Sequence, residues 1–374
     1  MSKHRTILIT GAFGQVGRRC AAIMLGRGHT VVGVDLRTDR TVAAAGDLAS
    51  MTGLSGTLVP AYLDLLDTTS LRAVVDEYRP TAVIHLAAIV SPVCYSNPQR
   101  ARRVNVDGTR NLLDAVAHQP DPPVFVFASS SAVYGSRSPK LHPERVTTET
   151  PVNPIECYGA DKVESEISVT QSGLRYAILR LGGVLSPDNL GVMSPEYFVL
   201  LRAIPRDNRL HCVDARDAAL ALSNATELKD ADLDAIYLIG GDDSYAVTHS
   251  EMQDELTAVT GLGRLGPSTN LPGDPDDEAG WSFTDWFDTS ESQRVLRFQQ
   301  HRWSETMRWV GDSIPRGQRV AMQVVGPALR PLARFALALQ RGLERRGQYA
   351  EPWRLIAKKY GSEVLRLPHG AQIH

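Results

Sequence analysis

Tyr158 and Lys162 stand four residues apart in Tyr158-Gly159-Ala160-Asp161-Lys162, so on a helix they share one face. A free phenol titrates near pH ~10, too high to exchange protons with an alcohol at neutral pH. An ammonium beside it favours the phenolate, which makes Tyr158 a candidate acid or base and Lys162 its activator. The spacing equally suits a tyrosine packed on a lysine stem. What favours chemistry is the company: a phosphate-binding turn and a serine cluster lie upstream in the same chain.

The turn follows an apolar run, Arg5 to Thr10, that reads as a buried parallel strand. Gly11-Ala12-Phe13-Gly14-Gln15-Val16-Gly17 comes next, and a helical pattern runs from Arg18 to Arg27. Glycines at 11, 14 and 17 allow a sharp turn and a close backbone approach to a ligand, while the helix start offers amides and a positive dipole end to a pyrophosphate. A second strand, Thr30 to Val34, ends in Asp35, where a carboxylate would accept hydrogen bonds from an adenosine ribose. That charge would repel a 2′-phosphate, so NAD is favoured over NADP, although Arg37 and Arg40 stand close by.

The alternation continues. Thr57 to Leu63, Thr81 to Leu86, Pro123 to Ala128, Arg175 to Arg180 and Ala235 to Ile239 read as strands. Helical patterns fall near Thr69 to Glu77, Ala101 to Ala117 and Asp161 to Gln171. The expected fold is α/β, a Rossmann-type doubly wound parallel sheet with helices on both faces. Ligands bind beyond the carboxyl ends of such strands, at Thr10, Asp35, Asp64, His85 to Ala88, Ser129 to Ser131 and Leu181 to Val184.

Composition places this fold in a soluble context. The 374 residues, with 43% hydrophobic and 22% charged, suit an α/β domain plus a smaller lobe. A net charge of −2 gives no reason to expect nucleic acid. Cys20, Cys94, Cys157 and Cys212 show no paired spacing, so neither a disulfide framework nor a metal site is expected, and a cytoplasmic setting fits. The chain enters its first strand at once, leaving no room for a signal peptide, and no apolar run is long enough to span a bilayer.

Together these residues resemble the extended short-chain dehydrogenases/reductases, the group of nucleotide-sugar epimerases and dehydratases and 3β-hydroxysteroid dehydrogenases. The resemblance is carried by the Thr10-to-Gly17 turn, Asp35, Asp64, His85-Leu86-Ala87-Ala88, Asn105-Val106-Asp107-Gly108-Thr109, Ser129 to Gly135 and the Tyr158/Lys162 pair. Val213 to Ala219 and Asp288-Thr289-Ser290 leading to Leu296 match later elements, so it covers roughly residues 5 to 300. It implies a Ser-Tyr-Lys site: Tyr158 as general acid/base, Lys162 lowering its pKa and binding the nicotinamide ribose, and Ser130, four residues before Tyr134, orienting the substrate oxygen. A plain polar loop is the other reading of the serines. Asp64 would contact the adenine amino group or cap a helix, Asn105 is a cofactor-side or a structural contact, and His85 is expected to be buried and structural.

The candidate cofactor-binding set is Gly11, Phe13, Gly14, Gln15, Val16, Gly17, Asp35, Leu36, Arg37, Asp64, Leu65, Leu86, Ala87, Ala88, Asn105, Ala128, Ser129, Tyr158, Lys162, Leu181, Gly182 and Val184. Ile89, Ser131 and Arg209 are candidate substrate contacts. The expected reaction is hydride transfer between NAD and a secondary alcohol or ketone, a small-molecule substrate. A nucleotide-sugar epimerase using transient oxidation is the alternative, and an NAD-sensing regulator or scaffold without turnover is the reading from another class. The family's nucleotide-sugar enzymes carry an asparagine where Arg180-Leu181-Gly182-Gly183 has Gly183, and sugar 4,6-dehydratases have an acidic pair where this chain has Ser131-Ala132. Both departures favour a simple alcohol, and an apolar one is in keeping.

Residues 1–182, with 210–241 returning, form the expected NAD-binding domain; 183–209 and 242–315 form the substrate lobe. Arg202, Arg206 and Arg209 there could hold an anionic group or be solvated, and Pro267 to Gly280 reads as an exposed loop. The segment 316–374 lies outside the family pattern. From Gly311 onward 11 Lys/Arg face 4 Asp/Glu, against 29 and 38 before it. Leu329, Leu332, Ala336, Leu339 and Leu343 recur at helical spacing, with Arg330, Arg334, Arg341 and Arg345 on another face. Pro327 and Pro331 suggest a helix starting near Ala328. Such a basic amphipathic helix can lie on an anionic membrane as a peripheral contact, pack on its own domain, or join two copies in a homodimer.

Overall fold

The first strand, β1 (Thr6–Thr10), sends Ile7 and Ile9 into one hydrophobic cluster and Leu8 into another, because alternate side chains leave a strand on opposite faces. β2 (Thr30–Asp35) repeats the pattern, with Val31 on the first side and Val32 and Val34 on the second. A strand apolar on both faces must be covered on both, and helices do so here. The computed structural model describes residues 4–189 and 195–365 of the chain.

β3 (Thr57–Tyr62), β4 (Ala82–His85), β5 (Val124–Ser130), β6 (Tyr176–Leu181) and β9 (Ala235–Ile239) complete a seven-stranded sheet in the order β3-β2-β1-β4-β5-β6-β9. All of its pairings are parallel. This is the doubly wound α/β fold, and each of the seven expected strands is in it. The strand order reverses between β1 and β4, where Thr10 pairs with His85, so a crevice opens at their carboxyl ends.

A second sheet is not apparent from the sequence pattern. β7 (Gly183–Leu185), β8 (Arg209–Asp214) and β10 (Ala246–Thr248) pair in the order β10-β8-β7. Gly182 makes the junction: its N–H donates to Ile239 O at 2.8 Å, and a Cβ there would lie 2.2 Å from His211 O. Only glycine lets the chain leave the large sheet and enter the small one at this spot. Within 210–241, β8 therefore sits in the small sheet, and the return to the large one begins with the helix Ala215–Ala225, packed on the helix Gly17–Gly26, and ends with β9.

The pattern from Ala101 to Ala117 is broken by a π turn over Arg103–Asp107, between the helices Pro98–Arg102 and Gly108–Ala117. Further on come the helices Pro195–Ala203, His249–Val259, Trp303–Asp312, Arg316–Leu343 and Pro352–Tyr360. The tail helix begins at Arg316 rather than near Ala328, and both Pro327 and Pro331 lie inside it. Each proline removes one backbone donor. Anchors on both sides hold the helix through the gap: Gly326 is buried against Leu262, and Arg334 Nε and Arg341 Nη1 donate to the carbonyls of Leu265 (2.6 Å) and Ser268 (2.8 Å).

Candidate active site

The turn after β1 requires its glycines. Gly11 has φ +64°, and a Cβ on Gly17 would lie 2.1 Å from Gly11 O. The helix that follows has Val16 at its N-cap, no capping side chain and no acid in its first turn. Arg18 N and Arg19 N donate to the carbonyls of Gly14 (3.1 Å) and Val16 (3.0 Å), but no carboxylate or capping side chain offsets the positive dipole end that the helix turns to the crevice. Gln15 Nε2 is buried there with no hydrogen-bond partner. An anionic, oxygen-rich ligand such as a dinucleotide pyrophosphate fits both features.

Two cavities, of about 590 and 580 Å³, share Gly11, Gly14, Leu86 and Ala88 and so form one groove across the switch point. Asp35, Leu36, Asp64, Leu65, Ala87 and Ile89 line the first. Asp35 Oδ2 accepts from Phe13 N at 3.0 Å and Oδ1 from Leu36 N at 2.9 Å; burial raises its pKa and these bonds work against the rise. The following helix is capped by Asp67, not by Asp64, which leaves Asp64 to the groove.

Gln15, Val16, Gly17, Ala128, Ser129, Ser130, Ser131, Tyr158, Lys162, Leu181, Gly182 and Val184 line the second cavity. Tyr158 and Lys162 lie one turn apart on the helix Cys157–Thr170, whose start is fixed by Glu156. The buried Glu156 carboxylate accepts from Tyr158 N at 2.9 Å and Gly159 N at 2.6 Å; burial pushes its pKa up to about 7. Lys162 Nζ donates to Ala128 O at 2.7 Å and lies 4.6 Å from the Phe127 ring centre and 5.8 Å from that of Tyr158. Burial pulls the Lys162 pKa down to about 8, while Glu166 and Asp161 work to raise it. An ammonium so placed stabilises a neighbouring phenolate. Ser130 Oγ accepts from Ala132 N at 3.2 Å, while Ser129 Oγ donates at 2.5 Å to Glu166, which does not line the cavity.

Residues 7–206 match the model of the NAD dependent epimerase/dehydratase family. The chain belongs to that family. NAD is its cofactor, and the uncapped helix, orphaned Gln15 amide and Asp35 are residues fit to hold it. The chain is 32% identical over 171 residues to D-erythronate dehydrogenase of Cupriavidus necator, covering 45% of this chain and 51% of the other. It is 30% identical over 215 residues to the mitochondrial L-threonine 3-dehydrogenase of Sus scrofa, covering 55% and 53%. It thus spans about half the length of the curated relatives it matches. Among solved structures, a UDP-glucose-4-epimerase from Stenotrophomonas maltophila with bound NAD and formylated UDP-arabinopyranose superposes with a TM-score of 0.67 at 21% identity, covering 86% of this chain and 100% of that one.

Several expected contacts of this family member lie elsewhere. Arg209 is held away from the cavity: Nη1 donates to the carbonyls of His142 and Pro143, and its guanidinium stacks 4.6 Å from the Trp286 ring centre. Arg202 pairs with Glu344, so the three arginines do not converge on a substrate anion. Arg37 stacks 5.1 Å over the Tyr62 ring instead of pointing into the groove. Phe13 buries its side chain and offers only its amide, to Asp35. Asn105 is structural: from the π turn its amide accepts from Ile89 N and donates to Ile89 O, holding the loop after β4. Ile89 faces the ribose-side cavity rather than the substrate. His85 is buried between Thr10 and Thr109, with its pKa lowered to about 3 by burial.

Other residues matter that the sequence reading missed. Glu166 binds Arg180 through Nε (3.0 Å) and Nη2 (2.7 Å), and Arg180 Nη1 donates to Tyr134 OH at 2.7 Å. This buried set backs the serine loop; its only sequence signal is an arginine inside an apolar strand. Ser91 lines the cavity and donates to Glu156 at 3.0 Å. The unpaired cysteine spacing also hides a contact, since Cys94 and Cys157 Sγ lie 3.7 Å apart as free thiols.

Proposed function

We propose that this protein is an NAD-dependent oxidoreductase that interconverts an uncharged, largely apolar secondary alcohol and its ketone. One observation carries the reading: the space in front of Ser130 and Tyr158 is walled by Val90, Leu185, Leu200, Leu201, Met252, Leu256 and Phe283, and Lys162 is the only charged side chain among the described lining residues. A sugar nucleotide brings a diphosphate, which needs cations or many donors. An apolar alcohol needs neither. NAD, when bound, supplies the hydride acceptor or donor.

The chain's own residues supply position and a proton path. Ser130 holds the substrate oxygen, and Tyr158 takes the hydroxyl proton in oxidation or returns it to the oxygen in reduction. Lys162 keeps positive charge beside the phenol, and the apolar wall excludes water that would screen it. Tyr158→Phe should lower turnover by roughly 10²–10⁴-fold while leaving the Kd for NAD nearly unchanged. Full activity in that variant sinks the assignment. Following NADH absorbance with a panel of apolar alcohols and UDP-sugars tests the substrate class. Turnover of UDP-sugars alone would replace this reading with the epimerase, and NAD binding without any turnover would favour a sensor. The proposal includes a homodimer in the cytoplasm; four free, buried thiols support the reducing compartment, and light scattering tests the assembly.

A further inference from the structure

The helix Arg316–Leu343 is mounted the reverse of an ordinary surface helix. Val324 is 75% exposed, Leu332 63%, Phe335 68% and Leu343 77%, and with Val320, Ala328 and Leu339 they form one outward stripe at three- and four-residue spacing. The arginines turn toward the protein, where Arg334 and Arg341 bond to the neutral carbonyls of Leu265 and Ser268. Those bonds leave the guanidinium charges in place. No Asp or Glu occurs in the helix.

A continuous apolar stripe of this size on a surface marks an interaction site. We propose that this stripe lies in the interface of a lipid bilayer carrying anionic head groups, drawn there by the charges of Arg330, Arg334 and Arg341 on the opposite face of the same helix, about one helix diameter behind it. Charge selects the bilayer over a second copy. A copy of this helix laid alongside would bring more arginines and no acid, whereas anionic lipid supplies the missing sign. Position in the molecule points the same way. Arg202 Nη1 bonds Glu344 Oε1 at 2.8 Å and Arg346 Nη1 bonds Arg202 O at 2.9 Å, just beyond Leu200 and Leu201 of the cavity wall. At the other end Gly261 packs on the backbone of Arg319, directly after the helix that carries Met252 and Leu256 of the same wall. The membrane-facing helix is thus joined to both walls of the chamber for an apolar alcohol, the kind of compound that partitions into lipid. Among the described residues no helix is long and apolar enough to cross a membrane, so this one lies along its surface.

Flotation of the full chain with vesicles of phosphatidylcholine alone and of phosphatidylcholine with phosphatidylglycerol tests this without reference to turnover. Binding should favour the anionic vesicles, weaken with salt, and fall roughly tenfold or more in the triple variant Leu332→Ser, Phe335→Ser, Leu339→Ser. These side chains are exposed, so the variant should keep the wild-type melting temperature and NAD affinity, which confirms that it is folded. Failure to float with either vesicle, or equal flotation with both, overturns the proposal. So does a dimer that the triple variant converts to monomer without changing vesicle binding, since the stripe then belongs to a second copy.

Discussion

Lys162 is a cation held almost out of water, 4.6 Å from the Phe127 ring centre, with its pKa pulled down to about 8 from an ordinary 10.5. A base with a depressed folded-state pKa contributes stability that is complete above its unfolded pKa and is lost as pH falls through the folded one. At pH 7 the fold therefore carries a burial penalty of about 3 kcal/mol that disappears toward pH ~10.5. Lys162→Met, apolar and of similar length, should be more stable than wild type at pH 7, with the gap closing by pH ~10, and should lose turnover. Denaturant unfolding at both pH values checks this; a less stable variant at pH 7 contradicts the assignment of burial as the dominant cause. Glu166 is the opposite case, since both of its oxygens are bonded to Arg180 and Ser129 in the interior. Glu166→Ala leaves the Arg180 charge uncompensated and should destabilise the protein by about 3–5 kcal/mol in the same measurement. A loss below ~1 kcal/mol would show that water or another acid satisfies Arg180.

Among elements, the helix Pro352–Tyr360 has the least expected role. Its Trp353 is buried with Cys94, Cys157 and Tyr158 in one cluster, and its Nε1 donates to Ser136 Oγ at 2.7 Å and Trp281 O at 2.9 Å. It belongs to the packing around Tyr158 rather than to a detachable tail. Trp353→Ala should lower stability by about 3–5 kcal/mol and depress kcat with little change in the affinity for NAD, since Trp353 lines neither cavity of the groove. Equal loss of NAD affinity would mean global unfolding instead. The junction between β6 and β7 is similarly tight. Gly182→Ala would place a methyl 2.2 Å from His211 O and should lower the melting temperature, by about 1–3 kcal/mol in stability terms. An unchanged melting temperature would show that β8 can move aside.

In the whole molecule, the large sheet supplies the dinucleotide groove, and everything else shapes what meets it. The small sheet, the helices Pro195–Ala203 and His249–Val259 and the segment around Phe283 wall the substrate space, while the tail helix ties those walls together from outside. Chemistry and specificity thus come from different parts of the chain. If the proposed function holds, exchanging wall residues should change which alcohol is accepted while leaving Ser130, Tyr158 and Lys162 in place.

Local regularity made much of this legible in advance. Each strand of the large sheet is an apolar run of β-formers with a turn or cap after it, and Gly11 to Gly17, Asp35 and Tyr158/Lys162 are defined by neighbours a few residues away. The amphipathic period of the tail was equally plain, since it needs only 3.6 residues per turn. Which way that helix faces was not written in its period: the carbonyls of Leu265 and Ser268, some 70 residues upstream, turn the arginines inward and the leucines out. Arg209 likewise looked free until Trp286 and the carbonyls of His142 and Pro143 claimed it. Sequence by itself determined the sheet, the glycine turn and the placing of Tyr158 and Lys162 one helical turn apart, because short-range sterics and periodicity specify them. Tertiary structure alone decided which charges are buried, which apolar faces stay open and what walls the substrate, because those depend on groups brought together from distant parts of the chain.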